Sequence, residues 1–313
     1  MAFFPLAVML ATLLSTIQGA ENPLPARWSV IPEDPAWDPD PWEGPPPANA
    51  LWFPVGEELT YTIYWKLVPV AQTRITTSWI RWPDGQPVLR IRYLTRSNRV
   101  ISAIYPVHDR HDSFIDPETF LPLRFVKDQQ EGRHRRHDIT DFDHVAGKAR
   151  WRRLAGQRRD YELPIEPTLR DIPSLAYWIR REGLTLGTNY STRVMADDKV
   201  YDLELATARE IVRLSAAGFD EIPCLPVSPR AQFEGLFVWK GPATLFISQG
   251  APCLVIRMEV SIPVVGHIRA VLTEIGGPGR EEWRSLWSAR TKAVAFSSVC
   301  GMVLKRKSIR ETL

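Results

Sequence analysis

Five of the six histidines, His108, His111, His134, His137 and His144, fall between positions 108 and 144, among Asp109, Asp112, Asp138, Asp141 and Asp143. Imidazoles and carboxylates in such company are the raw material of a metal site or a general acid–base pair. Spacing limits what they can do. On an extended strand side chains alternate between faces, so residues three apart point in opposite directions. That separates His134 from His137 and His108 from His111, and leaves a cross-strand set, His111 with His137 and Asp141, as the candidate polar cluster. The competing reading is a set of solvated or ion-paired faces, and the expectation adopted is no metal and no cofactor. The basic runs Arg133-His-Arg-Arg136 and Arg150-Trp-Arg-Arg153, with Arg158 and Arg159, are interleaved with those same acids. They read as wet faces of edge strands, where charge opposes sheet-to-sheet pairing; nucleic acid is not an expected partner. No G-x-S-x-G elbow, phosphate loop, dinucleotide fingerprint or H-E-x-x-H is present.

The elements that must position these residues show a period of two. Leu59, Tyr61, Ile63 and Trp65 alternate with Glu58, Thr60 and Thr62, and the pattern returns at Leu89–Tyr93, Tyr201–Leu205 and Leu254–Val260. Between such runs lie turn residues: Pro83-Asp84-Gly85, Glu131-Gly132, Ala146-Gly147-Lys148, Ala155-Gly156, Asp197-Asp198-Lys199 and Gln249-Gly250. Closely spaced strands with short turns give hairpins and meanders. The expected fold is mainly β, a strongly curved antiparallel sheet or partly open β-barrel. Two short helices accompany it. One covers about 172–182, capped by Asp171 and ended by Gly183, with Leu175, Trp178 and Ile179 as its buried face; the other covers 98–104. The aromatics Tyr61, Trp65, Trp79, Tyr93 and Phe246 face inward on this pattern, either lining a ligand cavity or filling a packed core.

The ends are different in kind. Met1–Ala20 is a short uncharged apolar run closing on small residues, which reads as a secretory signal peptide cut after Gly19 or Ala20; the alternative is a buried N-terminal helix. Residues 21–50 hold nine prolines and a charge balance of −5, and three tryptophans (Trp28, Trp37, Trp42) favour a strap across a surface over a bare linker. The main domain is expected over 51–276. Residues 277–313 form a basic tail that is either disordered or, through the apolar stretch 293–304, a peripheral membrane contact. Overall net charge is only +3 in 313 residues, so no folded face is evidently built for a polyanion. Cys224, Cys253 and Cys300 match no zinc spacing; Cys224 and Cys253 either pair or remain buried thiols.

Several segments together resemble a family. Phe53-Pro-Val-Gly-Glu-Glu-Leu-Thr-Tyr61 opens the domain, and Tyr105-Pro-Val-His-Asp-Arg-His-Asp-Ser-Phe-Ile-Asp116 follows the first helix. Thr119-Phe-Leu-Pro-Leu-Arg-Phe125, the Asp171–Arg180 helix and a closing meander from Phe246 to Ile275 complete the set. In this order they resemble the bacterial exported proteins of domain-of-unknown-function family 3108, over about 53–276. The resemblance implies a periplasmic, β-rich domain and supplies no catalytic residues. A looser similarity, to periplasmic lipoprotein carriers, implies a curved sheet around an apolar interior plugged by short helices. The expected function is therefore non-enzymatic: a periplasmic or secreted protein binding a lipid-like or other apolar ligand, or an envelope protein. The alternatives are an envelope glycan hydrolase drawing on 108–144, and a structural or assembly protein of the envelope.

Overall fold

Long strands with one apolar face need partners along both edges, and this chain supplies them from its immediate neighbours. The computed structural model describes residue 32 and residues 37–47, 51–230, 242–250, 252–262 and 266–285. The first half is a meander: β1 (Glu58–Trp65), β2 (Val68–Arg81), β3 (Pro87–Ser97), β4 (His108–Ile115), β5 (Pro122–Glu131), β6 (His134–Asp143), β7 (Lys148–Arg153) and β8 (Arg159–Pro164). The second half contains β9 (Arg170–Asp171), β10 (Asn189–Ala196), β11 (Lys199–Thr207), β12 (Val212–Ala216), β13 (Phe219–Arg230), β14 (Ala243–Ser248), β15 (Val255–Ile262) and β16 (Gly266–Gly276). All belong to one sheet, ordered β8-β7-β6-β5-β4-β3-β2-β1-β16-β15-β14-β13-β11-β10-β9, with β12 paired to β13. Every pairing is antiparallel except the two-residue β9–β10 ladder. The mainly antiparallel, curved, barrel-like sheet read from the sequence is the observed fold, and its hydrogen-bonded ladder does not close.

Helix α1 (Arg99–Ser102) is a single turn capped by Asn98, and α2 (Ile172–Glu182) fills the anticipated 172–182. Asp171 caps α2 by accepting from the Ser174 amide at 2.8 Å, and Gly183 closes it at φ +71°, a conformation that only glycine takes without strain. The buried residues of α2 are Pro173, Ser174, Leu175 and Tyr177, so the inward face is rotated from the one expected: Trp178 and Ile179 are only partly buried. A further helical stretch, 278–285, follows β16 and places Trp283 against Phe219 at 5.8 Å. The packed body thus runs past the boundary expected at 276. Met1–Ala20, Trp28, Cys300 and the 293–304 stretch lie outside the described residues.

Side chains join the sheet where backbone pairing stops. Ser113 on β4 donates to Asp171 at 2.5 Å, Lys127 on β5 reaches Asp197 in the β10–β11 turn at 2.5 Å, and Arg193 on β10 pairs with Glu166 at 2.7 Å. Met195 packs in one apolar cluster with Ile139, Phe142 and Leu123 of the opposite half. Across the outside of β2–β4 the segment 37–42 lies as a strap. Trp37 packs on Trp82 and Phe114 at 5.1 and 5.7 Å, Asp38 approaches Arg92 at 3.7 Å, and the Arg81 amide donates to the Asp40 carbonyl at 2.9 Å. Cys224 and Cys253 are both buried free thiols.

Candidate functional site

Register decides which of the candidate aromatics meet. Tyr61 lies opposite Thr73, Tyr93 opposite Ile75 and Trp79 opposite Leu89, so these three share one face of β1–β3. That face is roofed by α2 and the segment before β1. Phe53 stacks edge-on against Tyr177 at 4.6 Å, and Trp52 packs on Phe120 at 4.4 Å and Trp178 at 6.0 Å. The two remaining candidates sit elsewhere. Trp65, at the end of β1, is 46% exposed beside the turn. Phe246 belongs to the row Phe246, Arg257, Val271, Thr62, so it points away from the face of Tyr61, with the Arg257 guanidinium 5.9 Å from its ring. Alternation within a strand misplaces both: Trp65 keeps the parity of Tyr61 but stands at the open strand end, and the face of Phe246 is set by pairing across three strands, which no single strand reveals.

Under α2 the apolar face encloses a charged pair. Arg180 binds Glu57 in bidentate fashion at 2.7 and 2.9 Å, the Tyr177 hydroxyl donates to the same carboxylate at 3.2 Å, and Arg180 Nε donates to the Pro252 carbonyl at 3.2 Å. Burial alone would pull the Arg180 guanidinium down, but the Glu57 carboxylate outweighs it and holds the cation firmly protonated. The Tyr61 hydroxyl donates to the Val255 carbonyl at 2.8 Å. Burial raises Tyr61, Tyr93 and Tyr177, so all three phenols stay protonated and act as donors rather than bases. Among the described residues the Tyr93 hydroxyl has no hydrogen-bond partner. The arrangement can orient a polar group beside an apolar surface; it holds no nucleophile with an activating base.

The second candidate, His111 with His137 and Asp141, is not assembled. His111 lies opposite Lys127, which lies opposite Asp138; His137 lies opposite Asp128, and Asp128 opposite Arg110. His111 therefore occupies one face of the sheet, and His137 and Asp141 occupy the other. The error comes from choosing residues without knowing the register, since a shift of one residue exchanges faces. His111 and Asp141 are otherwise engaged. His111 stacks on Phe125 at 6.1 Å, and burial, with some help from Lys127, lowers its pKa to about 3. Asp141 accepts from Arg124 at 2.5 Å and from Arg152 at 2.7 Å. No group of three or more metal-ligating side chains forms among the described residues. The arginine runs also differ from the wet strand faces expected of them: Arg136 and Arg153 both pair with the buried Asp138, at 2.6 and 3.1 Å, and Arg152 with Asp141.

Sequence reasoning missed Glu57, Arg180, Tyr177, Ser113 and Asp197. Arg180 was visible only as a helix-terminal cation and Glu57 as one of two adjacent acids before a strand. Their partnership spans 123 positions, and nothing local announces it.

The family model described as "Protein of unknown function (DUF3108)" matches residues 60–273. A solved structure, titled as a beta-barrel-like protein of domain of unknown function DUF1849 from Brucella abortus, is similar at 12% identity. The likeness covers 71% of this chain and 97% of that one, with a TM-score of 0.46. No curated protein matches the chain.

Proposed function

The chain belongs to the family of proteins of unknown function DUF3108, and we propose that it is a non-enzymatic periplasmic binding protein whose aromatic face takes a hydrophobic or amphiphilic molecule. The observation that carries this reading is the Tyr93 hydroxyl, a protonated donor without a partner among the described residues, set on the face of Tyr61 and Trp79 beneath α2. Tyr93 is only partly buried, so its hydroxyl is open to an acceptor on a molecule laid against this face. Apolar area for the rest of such a molecule comes from Trp79, Ile75 and Ile91, with Trp52 and Trp178 above them. An amphiphile meets both requirements, because a pocket lined mostly by apolar groups with few polar ones orients one end of its ligand. Export is supported by the character of Met1–Ala20.

The test is native mass spectrometry and solvent extraction of protein purified from cells, with Tyr93→Phe in parallel. The expected result is a co-purifying amphiphile in the wild type and its depletion in Tyr93→Phe. An empty wild-type protein that also ignores alkyl-chain probes in solution would overturn the reading.

A further inference from the structure

We propose that one end of the sheet is a docking surface for an anionic phospholipid bilayer. Antiparallel order brings to that end Trp65–Val68 between β1 and β2, residues 98–107 between β3 and β4, the β5–β6 turn, and the start of β16 at Gly266 and His267. Backbone hydrogen bonds tie them into one platform. The Lys66 amide donates to the His267 carbonyl at 3.0 Å, the Asn98 amide to Val70 at 2.9 Å, and the Gly132 amide to Pro106 at 2.8 Å. Gly132 permits the last contact, since a Cβ there would stand 2.7 Å from the Tyr105 ring.

Apolar side chains project from this platform. Leu67 is 82% exposed, Val100 74%, Ile104 85% and Val68 57%, with Trp65 and Tyr105 about half exposed beside them. Helix α1 fully buries none of its residues, and its Val100 stands in the open. Single exposed apolar groups are ordinary, but six on adjoining turns form a patch. The charge around the patch is mostly positive. Lys66, Arg96, Arg99, Arg133 and Arg135 are exposed, and the partly buried Glu131 is the one carboxylate within 65–69, 96–108 and 131–135. None of the five cations forms an ion pair among the described residues. Short apolar prongs with aromatic shoulders and a cationic rim match the chemistry of an anionic lipid surface. The prongs reach the acyl boundary, and each nearby cation gains from the surface potential. This inference stands whether or not the aromatic face under α2 takes a ligand.

Flotation of the full chain with vesicles tests it. Binding is expected to vesicles of phosphatidylglycerol mixed with phosphatidylcholine, and to weaken with added salt and on pure phosphatidylcholine. The variants Leu67→Glu/Ile104→Glu and Arg99→Glu/Arg133→Glu are each expected to weaken it on the order of tenfold. All four side chains are exposed, so thermal melting should match the wild type and separate lost docking from lost folding. Failure of the wild type to float with the mixed vesicles overturns the proposal. So does undiminished binding by the two variants, which would assign the affinity to another part of the chain.

Discussion

Histidines at this density suggest chemistry, but the environment of each one sets its protonation, and His111 shows how. It is 7% exposed, its Nε2 has no partner, and Lys127 lies opposite it across the ladder. The folded pKa of about 3 is far below the ordinary value of 6.5, so between these limits the unfolded chain holds the extra proton. His111 therefore withdraws stability as pH falls below 6.5, by about 1.4 kcal/mol per unit. His144, buried and lowered to about 4, acts in the same direction, whereas Asp109, raised to about 6 by burial, acts in the opposite one. A variant isolates the single group. Between pH 7 and pH 5, His111→Leu should lose about 2 kcal/mol less stability than the wild type, measured by urea unfolding. Equal losses in both proteins would mean that His111 titrates normally in the fold.

Helix α2 shows what one residue does for an element. One Asp171 carboxylate oxygen accepts from the Ser174 amide and hydroxyl, and the other accepts from Ser113 on β4. The cap that starts the helix also fixes it to the sheet. Asp171→Ala removes a cap worth about 1 kcal/mol and strands the buried Ser113 hydroxyl at about 1–3 kcal/mol more. A loss of 2–4 kcal/mol in urea unfolding is expected from those two principles, and Asp171→Asn, which keeps an acceptor, should lose roughly half as much or less. If Asp171→Ala cost no more than an ordinary cap, the link to β4 would be energetically idle. The cap itself was legible, since an Asp before Ile-Pro-Ser and a Gly after two arginines mark helix ends by local chemistry alone. The face of α2 was not. It turns toward Glu57 and Tyr61, residues more than a hundred positions away.

On the scale of the whole molecule, a sheet that its own ladder leaves open is held by side chains between its halves. Lys127, 2% exposed, and Asp197 form the ionic one of these links that is most sheltered, with Arg136 reaching the same carboxylate at 3.6 Å. Burial lowers the Lys127 ammonium, and Asp197 opposes that shift, so the ion pair stands only while both partners remain. Lys127→Met leaves Asp197 with only the more distant Arg136 as a partner, a change bounded by the ~3–5 kcal/mol of a broken buried pair. Its expected signature is local: faster amide exchange over β5–β7 and the β10–β11 hairpin, with β1–β3 still protected. Uniform acceleration across the sheet would show that the halves unfold together and that this link is not a separate latch.

The amino-acid pattern alone determined the class of the protein. Alternation along Leu59–Ile63 and Leu89–Tyr93, punctuated by Asp84-Gly85 and Gly147, demands antiparallel strands because neighbouring residues settle pleat and turn. The six turns read from composition all lie at strand junctions, with Glu131, Lys148 and Lys199 already the end residues of strands. Tertiary structure alone decided which side chains share a face. Bulges shift the register at Ile63/Tyr64 and Phe246/Ile247, and curvature brings Glu57 to Arg180 and Lys127 to Asp197. Partners so distant in the chain are chosen by the geometry of the whole sheet, and local propensity has no term for that.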